Sequence, residues 1–269
     1  MIGSSRESLR VCQEGLDARR QDPGFAQLSG ELFAVADLLD REWQLRTTLA
    51  DSGQPQQVRD ALVGQILGAR VSDLAVDVVR MVVDRRWAED LDLVMAIEQL
   101  ADQAAFTVAE ADGSLDSTEE ELFRFGRALD SSPELQMALT DPAQSAAVKA
   151  SIARELLQGR STAATQAVLE YAVGHLHGRR IDSVVDDLCN LAAQQRERVV
   201  AEVRVAAPLD ASQTQRLADA LSRLKGRTVR LNVAVDPTVV GGVHVRIGDE
   251  VIDGTVASRM EQARRALLG

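Results

Sequence analysis

The stretch Glu31-Leu32-Phe33 returns ninety residues later as Glu121-Leu122-Phe123, and this repeat decides how most of the chain is interpreted. Further identities at the same offset are Leu39-Asp40 with Leu129-Asp130, Leu45 with Leu135, Leu49 with Leu139, Asp51 with Asp141, Val58 with Val148, Leu67 with Leu157 and Arg70 with Arg160. Self-similarity at a fixed spacing is the signature of a duplicated structural unit. The sequence therefore predicts two tandem copies of one helical bundle, ending near residue 198.

Beyond Arg70 the register of the repeat is expected to slip by four residues. Arg85-Arg86 and Arg179-Arg180 each follow one apolar helix and precede another, and these pairs are ninety-four residues apart. An insertion of four residues in copy two, around the loop Gly159–Thr165, would account for the difference.

The two copies are expected to share a helix. Copy one should end with a helix over 87–103, whereas copy two should begin near 97–110. One long helix from Trp87 to about Ala111 would then serve both bundles and join them stiffly. The predicted domains are residues 1–95 for the additional bundle, 96–198 for the second bundle and 199–269 for a C-terminal α/β domain.

Local signals predict three helix starts in copy two. Ser117-Thr118 followed by Glu120-Glu121 is typical of a capping box. Ser132-Pro133 combines an N-cap residue with proline at the first helical position. Asp141-Pro142 has the same form and predicts the third start.

Apolar spacing predicts which faces of these helices are buried. The expected inward residues are Leu122, Phe125 and Leu129 in the first helix, and Val148, Ile152 and Leu156 in the third. Short helices with one apolar face each pack together as a bundle.

The C-terminal residues predict a small α/β domain. Val199–Ala206 and Val229–Val235 have the composition and alternation of strands. Between them, Asp210 is expected to cap a helix whose apolar face is Leu217, Leu221 and Leu224. The order strand, helix, strand continues into a hairpin and a closing helix from Val256.

The predicted hairpin has a defined register. Gly241-Gly242 permits a bulge or a sharp bend before the strand that begins at Val243. Gly248-Asp249 is suited to a two-residue turn. That turn pairs Ile247 with Glu250, Val245 with Ile252 and His244 with Asp253.

Composition and charge exclude several classes of partner. The chain of 269 residues carries a net charge of −11, yet residues 199–269 hold ten Lys or Arg against eight Asp or Glu. The bundles are therefore strongly acidic, which disfavours nucleic acid and an anionic bilayer. Two cysteines without ligand spacing suit a reducing compartment. We expect no signal peptide and no insertion into the membrane.

No arrangement of residues predicts catalysis or a cofactor. On one helix His175 and His177 would point about 200° apart, so we expect no shared metal ion. Neither a GxGxxG motif after a strand nor a GxxxxGK[ST] motif is present, which disfavours nucleotide binding by a known loop. The sequence therefore predicts no catalytic, cofactor-binding or metal-binding residue.

The closing segment carries a family resemblance through ten residues. They are Asp236, Pro237, Gly241, Gly242, Gly248, Asp249, Ile252, Asp253, Gly254 and Arg259. In this order they resemble the C-terminal signature of the delta subunit (oligomycin-sensitivity-conferring) family of F-type ATP synthases. Thr255 departs from it, since the family usually has serine there. The resemblance covers about residues 92–269 directly, and copy one resembles an addition found in actinobacterial members.

The resemblance implies a structural subunit with no active site. By this resemblance, the second bundle would grip the N-terminal helices of the alpha subunits of the catalytic head. The C-terminal domain would join the b subunits of the peripheral stalk, at the cytoplasmic face of the cell membrane. Two alternatives stay open at this point: a helical regulatory adaptor with an α/β appendage, and an enzyme built on the C-terminal domain.

Overall fold

The computed structural model describes residues 3–197, 199–225, 229–236, 239, 241–247 and 250–253. The chain divides into two compact units, residues 1–195 and 196–269. The first unit is helical, and the second contains a small sheet, as the predicted fold class requires. Within the described ranges, no helix is long and apolar enough to cross a membrane.

The helices of the first unit repeat with the predicted offset. They are α1 Ser4–Asp17, α2 Phe25–Arg41, α3 Trp43–Ala50, α4 Gln56–Leu67, α5 Asp73–Val83, α6 Asp90–Asp112, α7 Leu115–Ser131, α8 Pro133–Thr140, α9 Ala146–Leu157, α10 Ala163–Ala172 and α11 Ile181–Glu197. Helices α2, α3 and α4 recur as α7, α8 and α9 with both ends shifted by ninety residues. The predicted duplication is therefore present in the fold.

Helix α6 belongs to both copies, as predicted. It follows α5 and is therefore the last helix of copy one. It is also the first helix of copy two, because its residues 94–107 lie ninety positions after α1. It begins at Asp90, three residues later than predicted, and ends where Gly113 adopts a left-handed conformation with φ of 79°. Leu93, Ile97 and Phe106 of this helix are completely buried.

Residues of both copies form one continuous hydrophobic core. A single helix can serve two bundles only if it is apolar on most of its circumference, and thirteen residues of α6 are buried. The predicted boundary between residues 95 and 96 thus falls inside a compact unit, and that division stays a prediction.

The predicted four-residue slip is wrong. Ser72 caps α5 by accepting a hydrogen bond from Ala75 N, and Thr162 caps α10 by accepting one from Thr165 N. These caps are ninety residues apart, so the Gly159–Thr165 loop contains no insertion. The arginine pairs are therefore not equivalent.

Two of the three predicted helix starts are also wrong. The Ser132 hydroxyl does cap α8, with Pro133 at its first position. However, α7 already begins at Leu115, and α9 begins only at Ala146 after the N-cap Ser145. Proline is common at a first helical position, yet Asp141 instead closes a turn by accepting a hydrogen bond from Ala143 N at 2.8 Å.

Two of the three residues predicted to face inward on α9 are exposed. Val148 and Leu156 are 43% and 47% exposed, whereas Lys149, Ala153 and Leu157 are buried. The third predicted residue, Ile152, is half-buried and packs against the core. Both faces have helical spacing, so tertiary packing decides between them. Copy one makes the same choice, with Arg59 at the position of Lys149 and donating to the carbonyls of Leu49 and Val83. In α7, by contrast, the predicted Leu122, Phe125 and Leu129 are buried.

The second unit contains one helix and four strands in its described residues. The elements are β1 Val199–Val205, α12 Ala211–Lys225, β2 Val229–Val235, β3 Val243–Ile247 and β4 Glu250–Asp253. The strand order is β2-β1-β3-β4, with β1 parallel to β2 and antiparallel to β3. Asp210 caps α12 as predicted, accepting from Gln213 N at 2.7 Å. Alternate apolar residues of β1 face Leu221 in a separate small core.

The hairpin register is confirmed. His244 pairs with Asp253, Val245 with Ile252, and Ile247 with Glu250. The predicted turn Gly248-Asp249 and the predicted helix from Val256 lie outside the described residues.

Candidate docking cleft

Copy two contains an open cleft between α6, α10 and α11. The cleft has a volume of about 360 Å³, and Gln13 of α1 contributes to its rim. Glu98 and Asp102 lie on its α6 wall, Tyr171 on its α10 wall, and Leu188 on its α11 wall. Its walls therefore combine apolar helix surface with acidic side chains.

A hydrogen-bonded cluster forms part of the lining of the cleft. The Glu98 Oε1 atom lies 2.8 Å from both the Tyr171 hydroxyl group and the His177 Nε2 atom. The other ring nitrogen of His177 is 3.8 Å from Asp40 Oδ1 of α2. The side chains of His177 and Glu98 are both largely buried. This cluster ties the α10–α11 loop to α6 and to copy one.

An aromatic stack lies next to this cluster and joins the two copies. The ring of Phe33 on α2 stacks on Tyr171 with a centroid distance of 4.3 Å, and Tyr171 stacks on His175 at 4.0 Å. The His175 Nε2 atom is also 3.3 Å from Asp37 Oδ1. Stacked rings and a polar contact thus fix α2 of copy one against α10 of copy two.

The environment of the cleft shifts three pKa values upward. Burial and the neighbouring Glu98 charge raise the pKa of the Asp102 carboxyl group well above its ordinary value. Burial and Glu98 likewise raise the pKa of Tyr171. For His177, burial favours the neutral ring, but the hydrogen bond and charge of Glu98 and the charge of Asp40 outweigh it, so its pKa is raised. Glu98 is therefore a common cause of all three shifts, because its negative charge favours protonation of the groups around it.

The equivalent position in copy one is closed. Residues ninety positions earlier than Met95, Glu98 and Asp102 are Ser5, Ser8 and Cys12, which are buried between α1, α5 and α6.

The small polar groups of copy one find partners directly across this contact. The Ser5 hydroxyl donates to Asp92 at 2.6 Å, and the Ser8 hydroxyl donates to the Arg86 carbonyl at 2.7 Å. The same helical framework is therefore packed shut in copy one and open in copy two.

The side chains that line the cleft are suited to binding a partner. In the parts of the chain that the structure describes, no group of three His, Cys, Asp or Glu side chains is placed to hold a metal ion. Nor do the hydrogen bonds at the cleft pair a Ser or Cys nucleophile with a histidine. A cleft whose lining mixes apolar side chains with polar and acidic ones can receive an amphipathic helix with basic residues.

The geometry of the two histidines differs from the sequence-based expectation. Helix α10 ends at Ala172, so His175 and His177 are not on one helix, and their rings lie 6.4 Å apart in the same cluster. His177 has a φ of 48°, which turns the chain sharply there. Sequence reasoning missed the Glu98–Tyr171–His177 cluster. The available signal was the presence of the charged residues Glu98 and Asp102 within the apolar middle of α6.

The motif residues of the closing segment are described in part. Gly241 and Gly242 have φ of 65° and 81°, conformations that favour glycine, so the predicted bend before β3 is present. Asp236 N donates to the Val205 carbonyl at 2.8 Å where β2 ends. Ile252 and Asp253 lie in β4. The remaining motif residues, Pro237, Gly248, Asp249, Gly254 and Arg259, lie outside the described residues.

Comparison with known proteins identifies relatives over the full length of the chain. The family model for the ATP synthase delta (OSCP) subunit matches residues 101–267, which include most of copy two and the second unit. The ATP synthase subunit delta of Streptomyces avermitilis is 43% identical over 98% of both chains, and that of Streptomyces griseus is 42% identical over 100% of both. These relatives therefore share copy one as well.

A chain of the Toxoplasma gondii mitochondrial ATP synthase hexamer is more distant, with 21% identity over 62% of this chain and 95% of that one, and a TM-score of 0.28. The family match and the full-length relatives lead to one conclusion: the chain belongs to the ATP synthase delta (OSCP) subunit family.

Proposed function

We propose that this chain is a non-catalytic stator subunit that links the catalytic head of an F-type ATP synthase to its peripheral stalk. The open cleft of copy two carries the proposal, because a groove that is closed in copy one is available for a partner in copy two. We place the N-terminal helices of the alpha subunits in this cleft. We assign the b subunits of the stalk to the second unit, at the cytoplasmic face of the cell membrane.

The mechanical role explains the construction of the first unit. Rotation in the complex exerts torque on the head, so the connecting subunit must be stiff and its contacts must dissociate slowly. Helix-in-groove contacts bury apolar surface over a long seam and provide slow dissociation. Stiffness comes from α6, whose 23 residues form a continuous helix of roughly 35 Å through both copies.

The closing-segment motif has a structural role in this proposal. Gly241 and Gly242 direct the chain into β3, and Ile252 and Asp253 pair β4 with β3. We propose that Asp236, Pro237, Gly248, Asp249, Gly254 and Arg259 likewise shape the stalk-docking unit and bind no cofactor.

A peptide titration tests the placement of the alpha subunits. A synthetic peptide covering the N-terminal helix of the alpha subunit from the same organism is titrated into the full chain by calorimetry. Asn190 is exposed on the cleft wall, so Asn190→Trp should fill the cleft and weaken binding roughly tenfold, or about 1.4 kcal/mol.

Asp186→Trp is the matched control, since Asp186 is exposed on the same helix but does not line the cleft. Absence of peptide binding would refute the proposed partner. Equal weakening by both variants would refute the cleft as its site.

A further inference from the structure

The contact between the two copies provides a template for a second interface. On α2, Phe33 and Asp37 lie one helical turn apart, and they contact Tyr171 and His175, which are likewise four residues apart. Because both pairs share this spacing, the two segments run in the same direction where they meet. The ring of Phe33 is only 7% exposed as a result.

In copy two, the corresponding face of α7 is not packed in this way against another helix that the structure describes. Ninety residues after Phe33 and Asp37 stand Phe123 and Arg127 on α7, and Phe123 is 60% exposed. A single exposed aromatic residue is ordinary on a protein surface. This one is informative because it occupies the position at which its counterpart is buried in an interface.

The charge beside the exposed ring belongs to Arg127, whose side chain is exposed to solvent. Arg124 on the same helix is paired with Glu120 at 2.8 Å. Among the described residues, in contrast, no carboxylate lies within ion-pair distance of Arg127. The face of α7 thus offers an aromatic ring and, one turn later, an available positive charge.

We propose that the Phe123–Arg127 face of α7 is a docking site for a helix of another protein chain. That helix carries an aromatic or large aliphatic residue and, four residues later, an aspartate or glutamate. The aromatic or aliphatic side chain of the partner helix would pack on Phe123 as Tyr171 packs on Phe33. The carboxylate replaces the role of His175, because Arg127 has reversed the charge found at Asp37.

The same reasoning disfavours a second copy of this chain as the partner. The surface of copy one that corresponds to Tyr171 and His175 is Met81 and Arg85 of α5 and the turn that follows it. Docking of that surface on α7 would place Arg85 beside Arg127. Like charges facing each other across an interface oppose association, which favours an acidic partner of a different sequence.

Site-specific photocross-linking tests this inference on the full chain. The variant Phe123→p-benzoylphenylalanine is expressed with a purification tag, irradiated together with the chains that copurify, and analysed by peptide mass spectrometry. The expected cross-link joins residue 123 to a helical segment of another chain that has the aromatic-or-aliphatic residue and the carboxylate four positions later. Trp43→p-benzoylphenylalanine is the matched control, since Trp43 is 61% exposed on α3 and should not capture that segment.

A charge reversal completes the test. Arg127→Glu in the cross-linking background should lower the yield roughly tenfold, the effect expected for loss of one charge-assisted contact. Arg124→Glu should change it little, because the Arg124 charge is already matched within α7.

Four outcomes would overturn the inference: a cross-link to residues 196–269 of the same chain, one to a second copy, one to a segment without the pattern, or none. Failure of synthase subunits to copurify would instead contradict the proposed function, and the inference would then stand only if residue 123 cross-links to a segment with the pattern in a chain that does copurify.

Discussion

Copy one and copy two have the same helical framework, yet one is closed where the other holds a cleft. Along the first helix of each copy, Ser5 and Cys12 in copy one correspond to Met95 and Asp102 in copy two. Small side chains let α1 pack directly on α5 and α6, whereas larger and charged ones line an open space beside α11. Side-chain size and charge on one helical face therefore decide whether this framework forms a core or a binding groove.

The largest contrast between the copies is expected at the equivalent residues Phe33 and Phe123. Phe33→Ala removes a buried, stacked ring and should lower the free energy of unfolding by about 3–5 kcal/mol. Phe123→Ala should change it by less than about 0.5 kcal/mol, because the ring is exposed. Urea denaturation followed by circular dichroism measures both values. Similar losses for the two variants would mean that Phe123 is covered within the chain.

A smaller effect of equal sign is expected at Glu31 and Glu121. The Glu121 carboxylate accepts from Thr162 N at 2.8 Å and from the Thr165 hydroxyl at 2.6 Å, which ties α7 to the start of α10. Glu31 accepts from the backbone N–H and hydroxyl groups of Ser72, and Glu121 likewise accepts from the Thr162 hydroxyl at 3.1 Å. Either change to alanine should cost about 1.5–3 kcal/mol, as for hydrogen bonds to charged groups.

The same denaturation experiment tests this symmetry of the two copies. Suppose that Glu121→Ala lowers the free energy of unfolding no more than a surface substitution does, while Glu31→Ala lowers it strongly. That result would show that these hydrogen bonds stabilise copy one alone. Glu120→Ala, on the exposed side of α7, is a suitable control.

The smallest effect on stability, and the only increase, is expected at Asp102. Because the folded state holds the pKa of this carboxyl group above its unfolded value, the folded state binds more protons, and stability falls as pH rises from the unfolded pKa through the folded one. Asp102→Asn removes that loss, so the variant should be more stable than the parent at pH 7, and the difference should shrink toward pH 4.

Denaturation midpoints measured across that pH range check the sign of the Asp102 effect. A constant difference at all pH values would contradict the assigned titration. Asp187→Asn, an exposed carboxylate on the cleft wall, provides the comparison.

Much of the fold was predictable because it depends on local patterns. Period-two alternation located β2 at Val229–Val235, and the Ser132-Pro133 signal located the start of α8. The repeat at Glu31 and Glu121 was visible in the sequence, but its physical reason was not. Glu121 had the form of a capping-box residue for its own helix, whereas it caps a helix forty-one residues later.

The sequence by itself determined the duplication, the shared helix and the family. The repeated residues and the turn-forming glycines are local patterns in the chain, so they can be recognised without any tertiary contact. The tertiary structure alone decided which face of α9 is buried, that His175 and His177 join one cluster, and that copy two is open. Each of these outcomes depends on which side chains meet across helices far apart in the chain. Phe33 and Phe123 illustrate the difference: the same residue at the same position of a repeat is buried by Tyr171 in one copy and exposed in the other.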